Sequence, residues 1–145
     1  MEKKLHTIKV LLIVCLLTGL IRGIKFSIGT THDFQMYKNG EFEFPEALKL
    51  SVDLGFLGIK KLHNNVSIPE KASKLNPLTE KQKKENKKKS SKRVSIEHKN
   101  RCCKIFYICS YRYRGKHSNY EDNWKIVAAL VNLKIITHNQ RFFTL

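Results

Sequence analysis

Three carboxylates fall where chemistry could use them. Asp33 follows one apolar stretch, Asp53 ends another, and Glu97 lies inside a long helix-forming run. Carboxylate oxygens suit hard divalent cations such as Mg²⁺. Two such ions about 4 Å apart can clamp the attacking and leaving oxygens of a phosphodiester. Each acid also has a plainer reading. An aspartate near a glycine is commonly a turn residue, and a helical glutamate is commonly a solvated charge. Arg101 stands four residues after Glu97, and Lys104 two helical turns after it, on the same face. Cations there could hold a phosphate backbone near a cut. An ordinary Glu97–Arg101 ion pair would explain the same spacing without a metal.

The overall charge points to the same kind of partner. A net charge of +16 favours polyanions, nucleic acid first and an anionic membrane surface second. The cations are concentrated rather than spread. A tract from Lys81 to Arg93 precedes Glu97, and a second, from Lys99 to Lys116, follows it with Tyr107, Tyr111 and Tyr113 interleaved. Lys92, Arg93, Arg101, Lys104, Arg112 and Arg114 are the candidate DNA contacts. No zinc finger, basic zipper or RNA-binding sheet motif promises base readout. The competing reading of residues 81–93 is a disordered lysine-rich linker.

These side chains need elements to position them. Val10–Leu16 and Leu20–Ser27 read as two strands around a turn at Leu17-Thr18-Gly19, with Leu20, Ile24 and Phe26 on one face. The same stretch, preceded by Lys3, Lys4 and Lys9, also resembles an export signal over residues 1–23. Arg22 and Lys25 interrupt it, so no membrane-spanning run of about 20 apolar residues forms. On pattern alone both readings stay open.

Thr31 or Asp33 could cap a short helix through Phe34, Met36 and Tyr37 to Lys38, ended by Asn39-Gly40. Glu46–Val52 alternates as a strand with Leu48, Leu50 and Val52 on one face, and Asp53 at its end. Residues 60–77 are polar and punctuated by prolines. Thr79 and Gln82 form a capping box that opens a helix running from Glu80 to about Ile108, with a possible break at Ser90-Ser91. A polar connection, Arg112–Asn123, leads to a helix over Trp124–Ile136 with Ile126, Val127, Leu130 and Leu133 facing inward. Interspersed strands and helices make the class α/β or α+β. At 145 residues the chain is one domain or part of one. Cys15, Cys102, Cys103 and Cys109 lack the spacing of a zinc site and read as reduced thiols of a cytoplasmic protein.

The motifs in order resemble insertion-sequence transposases of the DDE superfamily. His32-Asp33-Phe34 is similar to an H-D-F motif. Asp53-Leu54-Gly55-Phe56-Leu57-Gly58-Ile59 is similar to D-x-G-[FY]-x-G-I. Lys60 through Asn65, Ser67-Ile68-Pro69, Lys71, Ser73-Lys74 and Pro77-Leu78-Thr79 look like that family's loop. Arg93-Val94-Ser95-Ile96-Glu97-His98 resembles R-V-x-V-E-H, and Lys104-Ile105-Phe106 and Arg112-Tyr113-Arg114 continue the match. Lys4-Leu5-His6-Thr7-Ile8-Lys9 resembles the K-x-H-T-x-K that opens the family's second core strand. The resemblance covers residues 3–136.

That resemblance implies an RNase H-like core, here incomplete: a mixed sheet lacking its first strand, with C-terminal helices. Residues 1–136 would be a truncated catalytic domain and 137–145 a tail. The N-terminal apolar run would then be two core strands rather than an export signal. Asp53 and Glu97 would be the second and third catalytic, metal-binding acids, and Asp33 an accessory metal ligand. Two divalent ions, usually Mg²⁺, would serve cleavage at element ends and joining to a target duplex. Other transposase subunits are the expected protein partners, with no membrane involved.

Three departures weigh against activity. The family's first aspartate precedes K-x-H-T-x-K, and here the sequence begins at Met1 just before that motif. Cys102-Cys103 replace a basic and an apolar residue, and Ser118–Asn123 replace part of a basic stretch. The expectation is weak metal binding and no strand transfer. The alternatives are a non-catalytic basic DNA-binding protein and a small secreted basic protein.

Overall fold

The computed structural model describes residues 7–40, 42–73 and 77–140, the last without its side chain. Lys3, Lys4, Leu5, His6, Lys74 and the end of the expected tail, 141–145, lie outside the described residues.

The N-terminal apolar run forms a hairpin. β1 (Ile8–Val14) pairs with β2 (Ile21–Ile28). The turn between them closes through Cys15 N–H to Leu20 O at 2.9 Å and Gly19 N–H to Cys15 O at 2.8 Å. Gly19 has φ 72°, a left-handed conformation that costs a residue with a β-carbon. No helix among the described residues is long and apolar enough to cross a membrane. The face differs from expectation. Ile21 is the buried residue of β2, whereas Leu20, Ile24 and Phe26 are half-buried.

α1 (Asp33–Lys38) has the expected length, but its N-cap is His32, whose side chain makes no capping hydrogen bond. The strand expected over Glu46–Val52 shortens to β3, Leu50–Ser51. Leu48 N–H bonds Pro45 O at 2.9 Å in a turn, which takes Glu46–Leu48 out of extended backbone. The partner of β3 is β4 (Val66–Ser67), parallel and in register Leu50↔Val66 and Ser51↔Ser67. It lies within the stretch expected to be irregular.

α2 runs unbroken over Glu80–Lys104. Its capping box is made: Thr79 Oγ1 accepts from Gln82 N–H at 3.3 Å, and Gln82 Oε1 accepts from Thr79 N–H at 2.8 Å. Ser91 Oγ bonds Lys88 O at 2.8 Å, so its hydroxyl is satisfied without a break. The helix stops before Ile105, earlier than expected, and the short α3 (Tyr107–Ser110) follows. α4 spans His117–Gln140, starting seven residues sooner than its apolar pattern announced.

The chain divides into two compact units. One comprises Met1–Leu11 and Lys25–Val94, the other Leu12–Ile24 and Ser95–Leu145. In the first, Met36, Ile59 and His63 are buried. In the second, Ile21, Cys103, Cys109, Tyr120, Trp124, Val127, Ala128 and Val131 form the core. α4 therefore turns inward the face carrying Tyr120, Trp124, Val127 and Val131. Ile126, Leu130 and Leu133, expected inside, are 59%, 47% and 57% exposed. The two largest rings decide this, because burying Tyr120 and Trp124 removes more apolar area than burying the aliphatic stripe.

Among the described residues the class is mixed α/β, with two small sheets and C-terminal helices.

Candidate functional site

Asp53 follows β3 and caps a 3-10 turn at Leu54–Phe56. Its Oδ1 accepts the Gly55 N–H at 2.7 Å, which fixes the carboxylate's direction. Its Oδ2 lies 3.3 Å from Arg93 Nη1 of α2. Asp33, at the start of α1, is held from the other side. Lys9 Nζ of β1 stands 2.7 Å from Asp33 Oδ1 and donates to Thr31 O at 3.1 Å.

Gly55 shows how near the two acids come. A β-carbon there would lie 2.6 Å from Asp33 Oδ2 and 3.0 Å from Asp53 Oδ1. The two carboxylates thus converge on one glycine, each braced by its own cation. Asp33, read as an accessory acid, is Asp53's neighbour.

The surrounding loop is fastened by polar contacts. Gly58, at φ 105°, opens a second 3-10 turn, Ile59–Lys61, and a β-carbon on it would meet the Phe34 ring at 3.0 Å. His63 is buried, and its Nε2 lies 2.6 Å from Leu48 O, which ties this turn to the chain entering β3. A satisfied structural histidine is the role this geometry gives it.

Glu97, Arg101 and Lys104 lie on α2 in the second unit, and Arg112 and Arg114 lie between α3 and α4. Lys92 and Arg93 belong to the first unit. Among the described residues no three or more His, Cys, Asp or Glu side chains group closely enough to hold a metal ion. The pair Asp33–Asp53 still fits a hard divalent cation by donor chemistry. Mg²⁺ commonly keeps several waters and takes one or two carboxylates. Such an ion would compete with Arg93 and Lys9 for the same oxygens.

No local pattern hints at the Lys9–Asp33 contact. Only the hairpin register, with Gly29 N–H on Thr7 O at 2.7 Å, brings Lys9 beside the chain that enters α1. Gly55 was visible as part of a motif but not as a spacer.

All four cysteines are free. Burial pushes the Cys103 and Cys109 thiols up to about 11, each thiol further raised by a neighbouring one. Cys15 is shifted the other way, chiefly by the Thr18 hydroxyl.

A mixed α/β chain of net charge +16, with paired carboxylates and the lysine-rich part of α2 in one unit, has the charge pattern that favours a polyanionic partner. Comparison with known families narrows it. The model of the DDE superfamily endonuclease family matches residues 1–132, and the chain belongs to that family. It is similar to the probable transposase for insertion sequence element IS702 of Microchaete diplosiphon, 33% identical over 130 residues. That match covers 90% of this chain and 47% of the relative, so the chain spans about half the length of the curated relative it matches. No solved structure matches it.

Proposed function

We propose that this chain is part of the catalytic domain of an insertion-element transposase, with Asp53 and Glu97 as two metal-binding acids and Asp33 as an accessory one. Residues 1–136 would belong to an RNase H-like core and 137–145 to a tail. The observation that carries the reading is the convergence of Asp33 and Asp53 on Gly55. It falls within the residues matched by the family model.

A bound Mg²⁺ would supply a Lewis acid for a phosphodiester oxygen and a more acidic water. The chain's own residues do the positioning. The Gly55 N–H aims Asp53, and Lys9 holds Asp33. Arg93 balances the Asp53 charge and is suited to take a phosphate oxygen in its place. Glu97 follows Arg93 by four residues, the spacing that puts two side chains on one helix face. Arg101 and Lys104 continue that cationic run, and Lys92, Arg112 and Arg114 add backbone contacts. The partners are DNA at the element ends, the target duplex and other transposase subunits, in the cytoplasm and without a membrane.

Asp53 and Glu97 are two of the three metal-binding acids that the family resemblance implies. The 145-residue polypeptide alone is therefore expected to bind duplex DNA and Mg²⁺ weakly and to cut nothing. A nicking and strand-transfer assay with Mg²⁺ or Mn²⁺ checks this. Cleavage abolished by Asp53→Asn would overturn the inactivity and keep the site. Cleavage indifferent to that change would overturn the site.

One observation favours a second reading, a non-catalytic DNA-binding protein. Lys9 and Arg93 already neutralise both acids from within. Calorimetry showing no divalent-ion binding at millimolar concentration, together with tight DNA binding, would select it.

A further inference from the structure

α2 between Glu80 and Val94 has two different cationic faces. Gln82, Asn86, Lys89 and Arg93 recur at i, i+4, i+7 and i+11, so they share one face. That face is occupied by its own unit. Asn86 grips the backbone of Glu70 with both ends of its amide, accepting from Glu70 N–H at 2.9 Å and donating to Glu70 O at 2.9 Å. Gln82 donates to the Glu70 carboxylate. Lys89 Nζ donates to Ile68 O at 2.9 Å, and Arg93 meets Asp53. Lys83 is also engaged, by Glu80 at 2.7 Å.

Lys81, Lys84, Lys88 and Lys92 are different. At about 100° per residue they form a second stripe, roughly 120° around the helix from the first. All four are exposed. None has a carboxylate within ion-pair distance among the described residues. The stripe is about 16 Å long at 1.5 Å rise per residue. Its charges step every 4.5–6 Å or so, and one strand of B-DNA presents a phosphate about every 3.4 Å along the axis. Flexible ammonium groups on steps of this order can reach successive phosphate oxygens without needing any base.

We propose that Lys81, Lys84, Lys88 and Lys92 form a sequence-independent contact line for the phosphate backbone of duplex DNA, distinct from the carboxylate pair. The inward face of the same helix holds the loop at residues 68–70 and braces Asp53. The proposal rests on the reading that DNA is the partner, and it divides the basic tract into contact lysines and structural ones.

Salt dependence tests it, because each neutralised phosphate adds about 0.9 to the slope of log K against log salt. A random-sequence duplex is titrated with the full chain at several KCl concentrations. The variant K81Q/K84Q/K88Q/K92Q is compared with a charge-matched control, K49Q/K60Q/K61Q/K134Q, whose four lysines are exposed and off α2. The stripe variant is expected to flatten the slope by about 3–4, and the control by less than about 1. Equal flattening in both, or none in the stripe variant, overturns the contact line while leaving DNA as partner. A wild-type chain that binds no duplex overturns both. Loss of binding to phosphatidylserine vesicles in the stripe variant, with its DNA slope unchanged, would assign the surface to a membrane and overturn the proposal. Circular dichroism of both variants checks that their helix content is unchanged.

Discussion

The two units are held together by different means. The second is an apolar core around Trp124, with Tyr120 edge-on at 6.4 Å and Tyr113 packed on Tyr120 at 5.0 Å. The first buries few side chains and relies on polar fastenings: Lys9 on Asp33, Arg93 on Asp53, His63 on Leu48 and Asn86 on Glu70. Hydrophobic burial is tolerant of geometry and large in sum, whereas hydrogen bonds and exposed ion pairs add little net stability but fix direction. The carboxylates thus lie where direction is specified and stability is thin.

That contrast can be broken most severely at Trp124. Trp124→Ala is expected to cost about 3–5 kcal/mol, read from urea unfolding followed by far-ultraviolet circular dichroism. A loss below about 1 kcal/mol would mean that the second unit is not organised around this ring.

Alkaline pH probes the same core without mutation. Cys103 and Cys109 titrate near 11 when folded, against an ordinary value of 9.0. Groups with raised folded values contribute stability that is fully present below the unfolded value and lost as pH rises through the folded one. Stability should therefore fall between pH 9 and about 11, and Cys103→Ala/Cys109→Ala should remove that dependence. Cys15 should react with a thiol reagent well before either of them.

The smallest stability effect belongs to the first unit. Asp53→Asn breaks a pair whose members are 37% and 47% exposed, so a stability change under about 1 kcal/mol is expected. Mn²⁺ affinity should nevertheless drop at least about tenfold, about 1.4 kcal/mol of binding. Gly55→Ala sharpens the point by forcing the two carboxylates apart while leaving both in place. Unchanged Mn²⁺ affinity in both variants would separate the carboxylates from any metal role.

Much of this was legible in the chain. Gly19 between two apolar runs marked the hairpin, and Thr79 with Gln82 marked the start of α2, because both signals are local. α4 was harder because it is apolar on two faces. Its outer stripe, Ile126, Leu130 and Leu133, has the cleaner helical period, while the polar Ser118–Asn123 concealed Tyr120 inside the first turns. β4 escaped notice because two residues, Val66 and Ser67, carry no periodicity and acquire strand geometry only from β3. For the site, residue types and motif spacing pointed to Asp53 and Asp33, but their cationic partners come from Lys9 and Arg93, far along the chain and invisible to any local pattern.

Asn132 carries a consequence for solubility. Its side-chain amide accepts from Ile21 N–H and donates to Ile21 O, both at 2.8 Å, copying the two groups a neighbouring strand would offer. The first residue of β2 is thereby closed to invading strands, and an exposed ribbon loses one of its openings to fibre-like stacking between molecules.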